Sequence, residues 1–520
     1  LYYYKSQLSS FRRRKRSNQR RNNQTKKIEE GRNVELIETN QILDEIYLDL
    51  YHLSTKSCTI FRVSVGLSES NPDAYKPMLV SIGPYHKKNL QLRLMENYKL
   101  RYLQRFLRRK DGLDVKTCIT ELGKLKDEAL KCYDGIEDIY SDNNTGQFLK
   151  MLLVDGCFVV EFIRERCGRK PTEKDIIIPY SCIDGQVRRD LLLLENQLPF
   201  FVLTKLHNMT MDQINGGFGG WEGGEPPSRL DLIVPFIKLV KETFNSSFLK
   251  MSPTSFLKTE GDAKNIKHLL QLVHMSYHPL EKKTSLTPEN PSLEMEYCRK
   301  SLCWNPLQMV RLKNMPNDKD HQTWDTNMPN ATELREAGVT FSKIGKIYRR
   351  LEGYHNLGDN TSLFDIKFEN GVMTIPCFEV FDYTETILRN LVAYEQQSSD
   401  VHPRYFSDFS IFMDYLIDSN KDVSLLRQKG IIKNEIGEDK RVASLFNKIG
   451  KGVAISYDFY YKEEYFMLVQ HCKKPWNRMK ASLRHNYFNS PWAGASTVGA
   501  VILLILTAIQ TVLAFTGSVK

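Results

Sequence analysis

The last long apolar stretch of the chain limits its possible folds more than any other feature. From Ala493 to Phe515 the chain runs for 23 residues without a charged side chain. At about 1.5 Å per residue, such a helix reaches roughly 34 Å, enough to cross a hydrocarbon core of about 30 Å with some tilt. A cleaved signal peptide would lie at the N-terminus instead. The sequence therefore predicts one transmembrane helix, residues 493–515, and a lipid bilayer as a partner.

The charges on either side of this segment predict its orientation. Five basic residues precede it: Lys473, Lys474, Arg478, Lys480 and Arg484. Only Lys520 follows it. Because Lys and Arg collect on the cytoplasmic side of membrane proteins, we expect a single-pass protein whose body lies in the cytoplasm. The sequence does not choose between the plasma membrane and an endomembrane.

Composition divides the 520 residues into five parts. Residues 1–30 form a basic arm, predicted to be disordered, in which residues 1–27 hold ten Lys or Arg and no acid. A nuclear address, a clamp on anionic lipid and a transit peptide stay open as roles for this arm. The rest has near-balanced charge, so we do not expect it to bind nucleic acid. It reads as a helical lobe at 31–277, a polar linker or insertion at 278–330 and a second helical lobe at 331–490, before the transmembrane helix.

Helical spacing of apolar residues dominates these lobes. It predicts helices near residues 92–109, 117–133, 145–166, 187–206, 229–248, 263–276, 405–419, 439–449 and 459–488. A short strand is expected at 59–65. The predicted fold class is mainly α with a minor β-hairpin: a large helical globular body plus one C-terminal transmembrane helix.

The β-hairpin is predicted at residues 364–375. Apolar and polar residues alternate up to Phe368, and Asn370-Gly371 supplies the two positive φ angles of a type I′ turn. Pairing across this turn sets Phe368 opposite Met373. Downstream, Asp382 with an acid three residues later resembles a capping box for the next helix.

Four acidic residues interrupt apolar runs: Asp155, Glu161, Glu195 and Glu395. Buried carboxylates need partners, and an unpaired one has a raised pKa and can act as an acid or base. A cluster of such acids could hold a divalent cation. The alternative is that each acid caps a helix or pairs with an arginine such as Arg164 and fixes how helices pack.

The usual catalytic motifs are absent from the sequence. It contains no G-x-S-x-G, no G-x-x-x-x-G-K-[ST] and no H-E-x-x-H, and its ten cysteines form no C-x-x-C pair. We therefore predict no enzyme activity, no cofactor and no metal, and the cysteines favour a reducing compartment. Six N-x-[ST] sequons occur, a number that an Asn-rich chain gives by chance. His86, in the loop GPYHKK, is the loop candidate for chemistry, with a structural role as the alternative.

Within the predicted span, Ala495 and Gly499 form a small-x-x-x-small pair. Together with Gln510 they are candidates for helix association in the membrane. The alternative is that the threonines of the span bond to their own helix and that Gln510 reaches the lipid–water interface.

Several sequence blocks, taken in order, resemble a plant family known as domain of unknown function 247. They include VSIGPYH, MLLVDGCFVVEFI, DLLLLENQLPFFVL, NATELREAGVTF and LFDIKFENGVMTIP, and the resemblance covers roughly residues 55–516. Two positions depart from the family pattern: Ser64 stands where proline is usual after Val63, and Lys87 stands where a second histidine is usual.

The resemblance implies a land-plant protein that is mostly helical, with a C-terminal membrane anchor and no established enzymatic activity. Some grass members of the family are associated with self-incompatibility as pollen-side determinants. The leading hypothesis is therefore a membrane-anchored recognition or signalling protein that binds a protein partner. The alternative is an enzyme that uses Asp155, Glu195 and Glu395 as an acidic site able to bind a metal.

Overall fold

Helices dominate the computed structural model of the chain, as the apolar periodicity predicts. The structure describes residues 46, 58–136, 140, 145–167, 176–177, 181–211, 229–245, 265–279, 328–344, 362–455, 458–487 and 491–517. The predicted arm at residues 1–30 and most of the predicted linker at 278–330 lie outside these ranges. The division into two lobes therefore stays a prediction.

The first half of the body contains nine α-helices among the described residues. They are α1 (Val65–Ser68), α2 (Leu94–Leu107), α3 (Val115–Gly123), α4 (Lys126–Lys131), α5 (Thr145–Cys167), α6 (Ser181–Asp190), α7 (Phe200–Met209), α8 (Arg229–Asn245) and α9 (Leu269–Ser276). The apolar run that makes α5 hydrophobic on nearly every side also makes it central, because it contacts α2, α3, α7 and α8.

The second half contains eight helices and five short strands among the described residues. The helices are α10 (Ala331–Glu336), α11 (Thr384–Gln397), α12 (Tyr405–Leu416), α13 (Asn420–Gln428), α14 (Asp439–Ile449), α15 (Lys462–Lys473), α16 (Pro475–Tyr487) and α17 (Pro491–Gly517). The strands are β1 (Thr340–Ile344), β2 (Lys367–Glu369), β3 (Val372–Pro376), β4 (Phe378–Val380) and β5 (Ile432–Asn434). Here α11 is central and contacts α9, α12 and α14.

The predicted hairpin is confirmed. Strands β2 and β3 are antiparallel, with Phe368 opposite Met373, and the turn residues Asn370 and Gly371 have φ angles of 50° and 78°. Strand β1 adds to β3 in parallel, and β4 pairs with β5 in parallel as a separate two-stranded sheet. The parallel pairs join residues that are distant in the sequence, so local patterns did not predict them.

Five local predictions were wrong. The expected strand at 59–65 makes only one bridge, between Ile60 and Tyr133. Three expected helices are each two helices in the structure: 117–133 is α3 and α4, 459–488 is α15 and α16, and 187–206 is α6 and α7 with a non-helical segment between them. Asp382 does not cap α11, whose N-cap is Tyr383.

One hydrophobic core cluster contains residues from Ile60 to Val469. It draws on helices from both halves of the body, and direct hydrogen bonds join them as well. The backbone N–H of Leu194 donates to Asn390 Oδ1 on α11 at 2.9 Å. Burial of the apolar faces of these helices is the main force that holds the two halves together.

Candidate functional site

The non-helical segment between α6 and α7, residues 191–199, organises the candidate site. It carries the sequence LLLLENQLP, in which Pro199 is the N-cap of α7. A backbone that leaves a helix inside the core has N–H and C=O groups that need other partners. Polar side chains of this segment and of its neighbours supply these partners.

Asn196 ties this segment to the loop at residues 76–83. Its Oδ1 accepts a hydrogen bond from the N–H of Ile82 at 2.7 Å, and its Nδ2 donates to the carbonyl of Val80 at 3.0 Å. The carboxylate of Asp190, at the end of α6, accepts the N–H groups of Leu79 and Val80 at 2.7 and 2.9 Å. The loop is therefore held by side chains rather than by regular secondary structure.

Gln197 joins the same segment to α9. Its Nε2 donates to the carbonyls of Leu191 and Leu193, both at 2.7 Å, and its Oε1 accepts the N–H of Leu270 at 3.2 Å. Because Gln197 is almost fully buried, all three bonds replace hydrogen bonds to water that folding removes. Asn196 and Gln197 thus have structural roles that the sequence did not reveal.

Glu195, the preceding residue, points towards the protein surface. Its Oε1 accepts the N–H of Val63 at 2.9 Å, and its Oε2 lies 3.2 Å from His86 Nε2 and 3.9 Å from Arg62 Nη1. The Arg62 guanidinium also lies 4.6 Å from the ring centroid of Tyr85. Two separate predictions, the acid Glu195 and the loop residue His86, are therefore neighbours in the structure.

Asp155, on α5, lies beneath the same loop and pairs with a buried lysine. Lys99 Nζ is 2.7 Å from Asp155 Oδ1 and donates to the carbonyl of Ser81 at 2.5 Å, and both charged side chains are inaccessible to solvent. The N–H of Gly83 donates to Asp155 Oδ2 at 3.1 Å. No sequence pattern singled out Lys99, although it occupies a position on the apolar face of α2.

Two further charges complete this network at the surface. Glu96 lies 2.7 Å from Lys99 and 2.9 Å from Lys87, and Lys87 lies 3.6 Å from Asp155. Partial burial works against the charged form of each group, but the opposite charges outweigh it. The pKa of Lys87 is therefore raised and that of Glu96 is lowered. We call the partly or fully exposed charged side chains and the histidine around this loop the loop cluster: Arg62, His86, Lys87, Glu96 and Glu195.

Glu161 lies further along α5 and has a packing role. Its carboxylate is 2.6 Å from Arg109, 2.8 Å from Arg164 and 3.6 Å from Arg105. Arg164 also donates to the backbone carbonyl of His207 at 2.9 Å. The ion pairs of Glu161 with Arg105 and Arg109 join α5 to α2 and to the residues after it, and the hydrogen bond of Arg164 joins α5 to α7. The pairing of Glu161 with Arg164 is the one that the alternative interpretation expected.

Glu395, on α11, belongs to a second buried cluster. One oxygen lies 2.7 Å from His274 Nε2, and the two oxygens accept the N–H groups of Phe406 and Ser407 at 2.9 and 2.7 Å. His278 Nε2 lies 3.1 Å from His274 Nδ1, so a row of side-chain contacts runs from Glu395 through His274 to the partly exposed His278. Burial raises the pKa of Glu395 to about 7 and lowers that of His274 to about 3.

Each of the four predicted acids thus has its own basic partner. Asp155 and Glu195 approach the same loop, whereas Glu161 and Glu395 serve other helix contacts. Among the described residues, no group of three or more His, Cys, Asp or Glu side chains is arranged to hold a metal ion.

The candidate association residues lie on α17. Its segment Ala495–Ala514 has a mean hydropathy of 2.3, no part of it is buried, and it is long and apolar enough to cross a membrane. The space beside Gly499 is open, and Gln510 is exposed. Thr507 and Thr511 donate to carbonyls one turn back, each at 2.8 Å, as the alternative interpretation expected. Association through Ala495, Gly499 and Gln510 stays a prediction.

Comparison with known proteins adds a family and two relatives. Residues 60–506 match the model of DUF247, described as a plant protein of unknown function. The UPF0481 protein At3g47200 of Arabidopsis thaliana is 26% identical over 464 residues, which cover 88% of this chain and 86% of that protein. The putative UPF0481 protein At3g02645, also from Arabidopsis thaliana, is 21% identical over 518 residues, with coverage of 89% and 91%. No solved structure matches the chain.

Proposed function

The chain belongs to DUF247, a family of plant proteins of unknown function, and from this premise we propose that it is a membrane-anchored protein that binds a protein partner at the membrane surface. The observation that carries the anchor is the exposure of α17. Leu503 and Leu504 are 66% and 70% exposed, and the body buries no part of the apolar segment of this helix. A lipid bilayer is the environment that removes such a surface from water.

Extraction at alkaline pH tests this anchor. Membranes from plant cells that express the full chain are washed with carbonate, which releases peripheral proteins, and are then pelleted. We expect the chain in the pellet and, after detergent is added, in the supernatant. Release by carbonate alone would contradict the anchor.

A surface beside the loop cluster supports partner binding. Leu90 and Leu94 are 73% and 80% exposed, and the neighbouring Lys88 and Arg93 are exposed as well. We call these four residues the 88–94 edge. Large apolar side chains next to basic ones are typical of a docking site for an acidic, apolar protein surface.

Proximity labelling from the full chain tests this surface. The variant Leu90→Ser/Leu94→Ser is compared with the wild type and with Leu100→Ser, a control that changes another exposed leucine of α2, the helix that begins at Leu94. We expect the wild type and the control to label a common set of neighbouring proteins. The double variant should label the same proteins several-fold less. Equal labelling by all three proteins would contradict a role of the 88–94 edge.

The buried pair Glu395 and His274 favours a second candidate, an enzyme in which Glu395 acts as a general acid or base without Asp155 and Glu195. A carboxyl group with a pKa of about 7 is poised to exchange a proton near neutral pH, as general acid–base catalysis requires. The test is the turnover of simple p-nitrophenyl esters or phosphates. Loss of turnover in Glu395→Gln, with turnover retained in the surface variant Glu463→Gln, would favour this candidate. Equal turnover by both variants would exclude Glu395 as the catalytic group.

A further inference from the structure

The helix α16 carries an apolar stripe that the body leaves uncovered. Trp476, Met479, Leu483 and Tyr487 are 63%, 44%, 42% and 51% exposed. Their spacing of three, four and four residues places them on one face of the helix. A stripe of this kind on a short helix is typical of helices that lie in a membrane interface.

Polar contacts fix which face of α16 is turned outward. Arg484 Nη1 donates to the carbonyl of Arg335 at 2.6 Å, and His485 Nδ1 lies 3.5 Å from the carboxylate of Glu336. Asn477 Nδ2 donates to the carbonyl of His471, on α15, at 2.8 Å. These contacts hold α16 against α10 and α15, and the apolar stripe remains exposed.

The position of α17 relates this stripe to the membrane. Thr497 Oγ1, two turns into α17, donates to the carbonyl of Tyr487 at 3.3 Å. The end of α16 therefore lies level with the start of the apolar segment Ala495–Ala514. Trp492, just before that segment, is 84% exposed. Tryptophan and tyrosine at this level are typical of the lipid–water interface.

The charge of this region identifies the kind of surface that fits it. No Asp or Glu follows Glu464 in the sequence. Exposed basic side chains lie on α16 and at the end of α15: Lys473, Lys474, Arg478, Lys480 and Arg484. Lys480 Nζ lies 5.9 Å from the ring of Trp476, so a positive charge lies directly beside the apolar stripe. Anionic lipid headgroups attract such a group of charges.

We propose that α16 is an interfacial helix that binds anionic lipid headgroups of the bilayer crossed by α17, with its apolar stripe inserted at the boundary between headgroups and acyl chains. This inference rests on the membrane anchor proposed above and adds a second contact with the lipid. The additional contact sets the orientation of the body relative to the membrane, because α16 is hydrogen-bonded to α10 and α15.

Site-specific photo-crosslinking tests the inference in the full chain. The photoreactive residue p-benzoylphenylalanine replaces Leu483, Leu504 or Leu100, and each protein is reconstituted in phosphatidylcholine vesicles with or without phosphatidylserine. After irradiation, lipid adducts are detected by mass spectrometry. We expect adducts from positions 483 and 504 and none from position 100, and without phosphatidylserine the yield at position 483 alone falls several-fold.

The outcomes separate this inference from the anchor. Adducts at position 504 without adducts at position 483 would overturn the interfacial helix and leave the anchor intact. No adduct at either position would contradict the anchor as well. Crosslinks from position 483 to protein instead of lipid would mean that a partner covers the stripe, and they would also overturn the inference.

A charge variant provides a second test with the same measurement. With the photoreactive residue at position 483, Lys474→Gln/Lys480→Gln should lower the yield of lipid adducts several-fold in vesicles that contain phosphatidylserine. The matched control is Lys110→Gln/Lys116→Gln, which removes two exposed lysines from the body. Equal yields from both double variants would overturn the role of the headgroup charge.

Discussion

At the scale of single residues, Lys99 is a fully buried charged side chain whose charge must be balanced inside the core. Its ammonium group is inaccessible to solvent and is held by Asp155, Glu96 and the carbonyl of Ser81. Only its spacing from Met95 and Tyr102 is visible in the sequence, and the structure shows that all three side chains are buried on α2. An ionised side chain on an apolar face implies a buried counterion, but the spacing does not say which acid supplies it.

Lys99→Met should lower the free energy of unfolding by about 3–5 kcal/mol, because it leaves the carboxylate of Asp155 buried without its main partner. The value should lie near the lower end, since Lys87 is only 3.6 Å from Asp155. Urea denaturation of the full chain in detergent, followed by circular dichroism, measures the loss. The double variant Lys99→Met/Asp155→Asn should recover part of it, and the exposed control Lys110→Met should match the wild type.

Glu395 should make the stability of the protein depend on pH near neutrality. Its pKa is about 7 in the folded protein against 4.5 for an ordinary glutamate, so between these values the folded state binds more protons than the unfolded state. The contribution of Glu395 to stability is therefore largest at low pH and is lost as pH rises from about 4.5 to about 7. The total loss is up to about 3 kcal/mol.

Comparison with Glu395→Gln isolates this effect, because glutamine does not titrate. The difference in free energy of unfolding between wild type and variant should shift in favour of the variant as pH rises through this window. Both proteins carry Asp408→Asn as a common background, because burial and the charge of Glu395 together raise the pKa of Asp408 to about 7 and it would titrate in the same window. A difference that does not change between pH 4.5 and pH 7 would contradict the raised pKa of Glu395.

At the scale of secondary-structure elements, the hairpin depends on its two-residue turn. Gly371 has a φ of 78°, which an L-residue adopts only with strain. Gly371→Ala should therefore lower the free energy of unfolding by about 1 kcal/mol or more, measured by urea denaturation. Gly123, at the end of α3, has open space around it, so Gly123→Ala should leave stability unchanged or raise it slightly. Equal losses in both variants would mean that the turn is not strained.

The same hairpin marks how far the sequence could predict the elements. Alternation and the Asn370-Gly371 turn act between residues close in the chain, so they fixed the register of β2 and β3 correctly. The segment at 191–199 has four leucines with helical spacing to their neighbours, and local pattern favoured a helix. The structure breaks this helix because Asn196 and Gln197 bond to residues over 70 positions away, and such partners leave no local signal.

In the candidate site, too, the sequence predicted single residues but not their partners from distant parts of the chain. The sequence singled out Glu195 and His86 as separate features, and only the fold brought them within 3.2 Å of each other. The acids were recognisable because each interrupts an apolar run. Their partners Arg62, Lys99 and His274 were missed, since each lies on a different element from the acid that it contacts.

At the scale of the whole molecule, α17 should decide where the protein is found. Leu504 and Ile505 lie at the middle of the segment Ala495–Ala514. Arginine at the centre of a span costs about 3 kcal/mol per residue on the insertion scale, so Leu504→Arg/Ile505→Arg should strongly reduce the pellet fraction after carbonate extraction. Val65→Arg/Met78→Arg, which changes two exposed apolar residues of the body, should leave that fraction as in the wild type.

The orientation of the body predicts its chemical modification. If the basic residues before α17 hold the body in the cytoplasm, the sequons at Asn208 and Asn330 never meet the glycosylation machinery of the endoplasmic reticulum. We therefore expect that glycosidase treatment of the full chain from plant membranes leaves its electrophoretic mobility unchanged. The control is a variant with a long tail that contains glycosylation sites, appended after residue 520. Its mobility should change on glycosidase treatment, because the tail lies on the opposite side of the membrane. A change in the mobility of the unextended chain would mean that the body lies in the lumen.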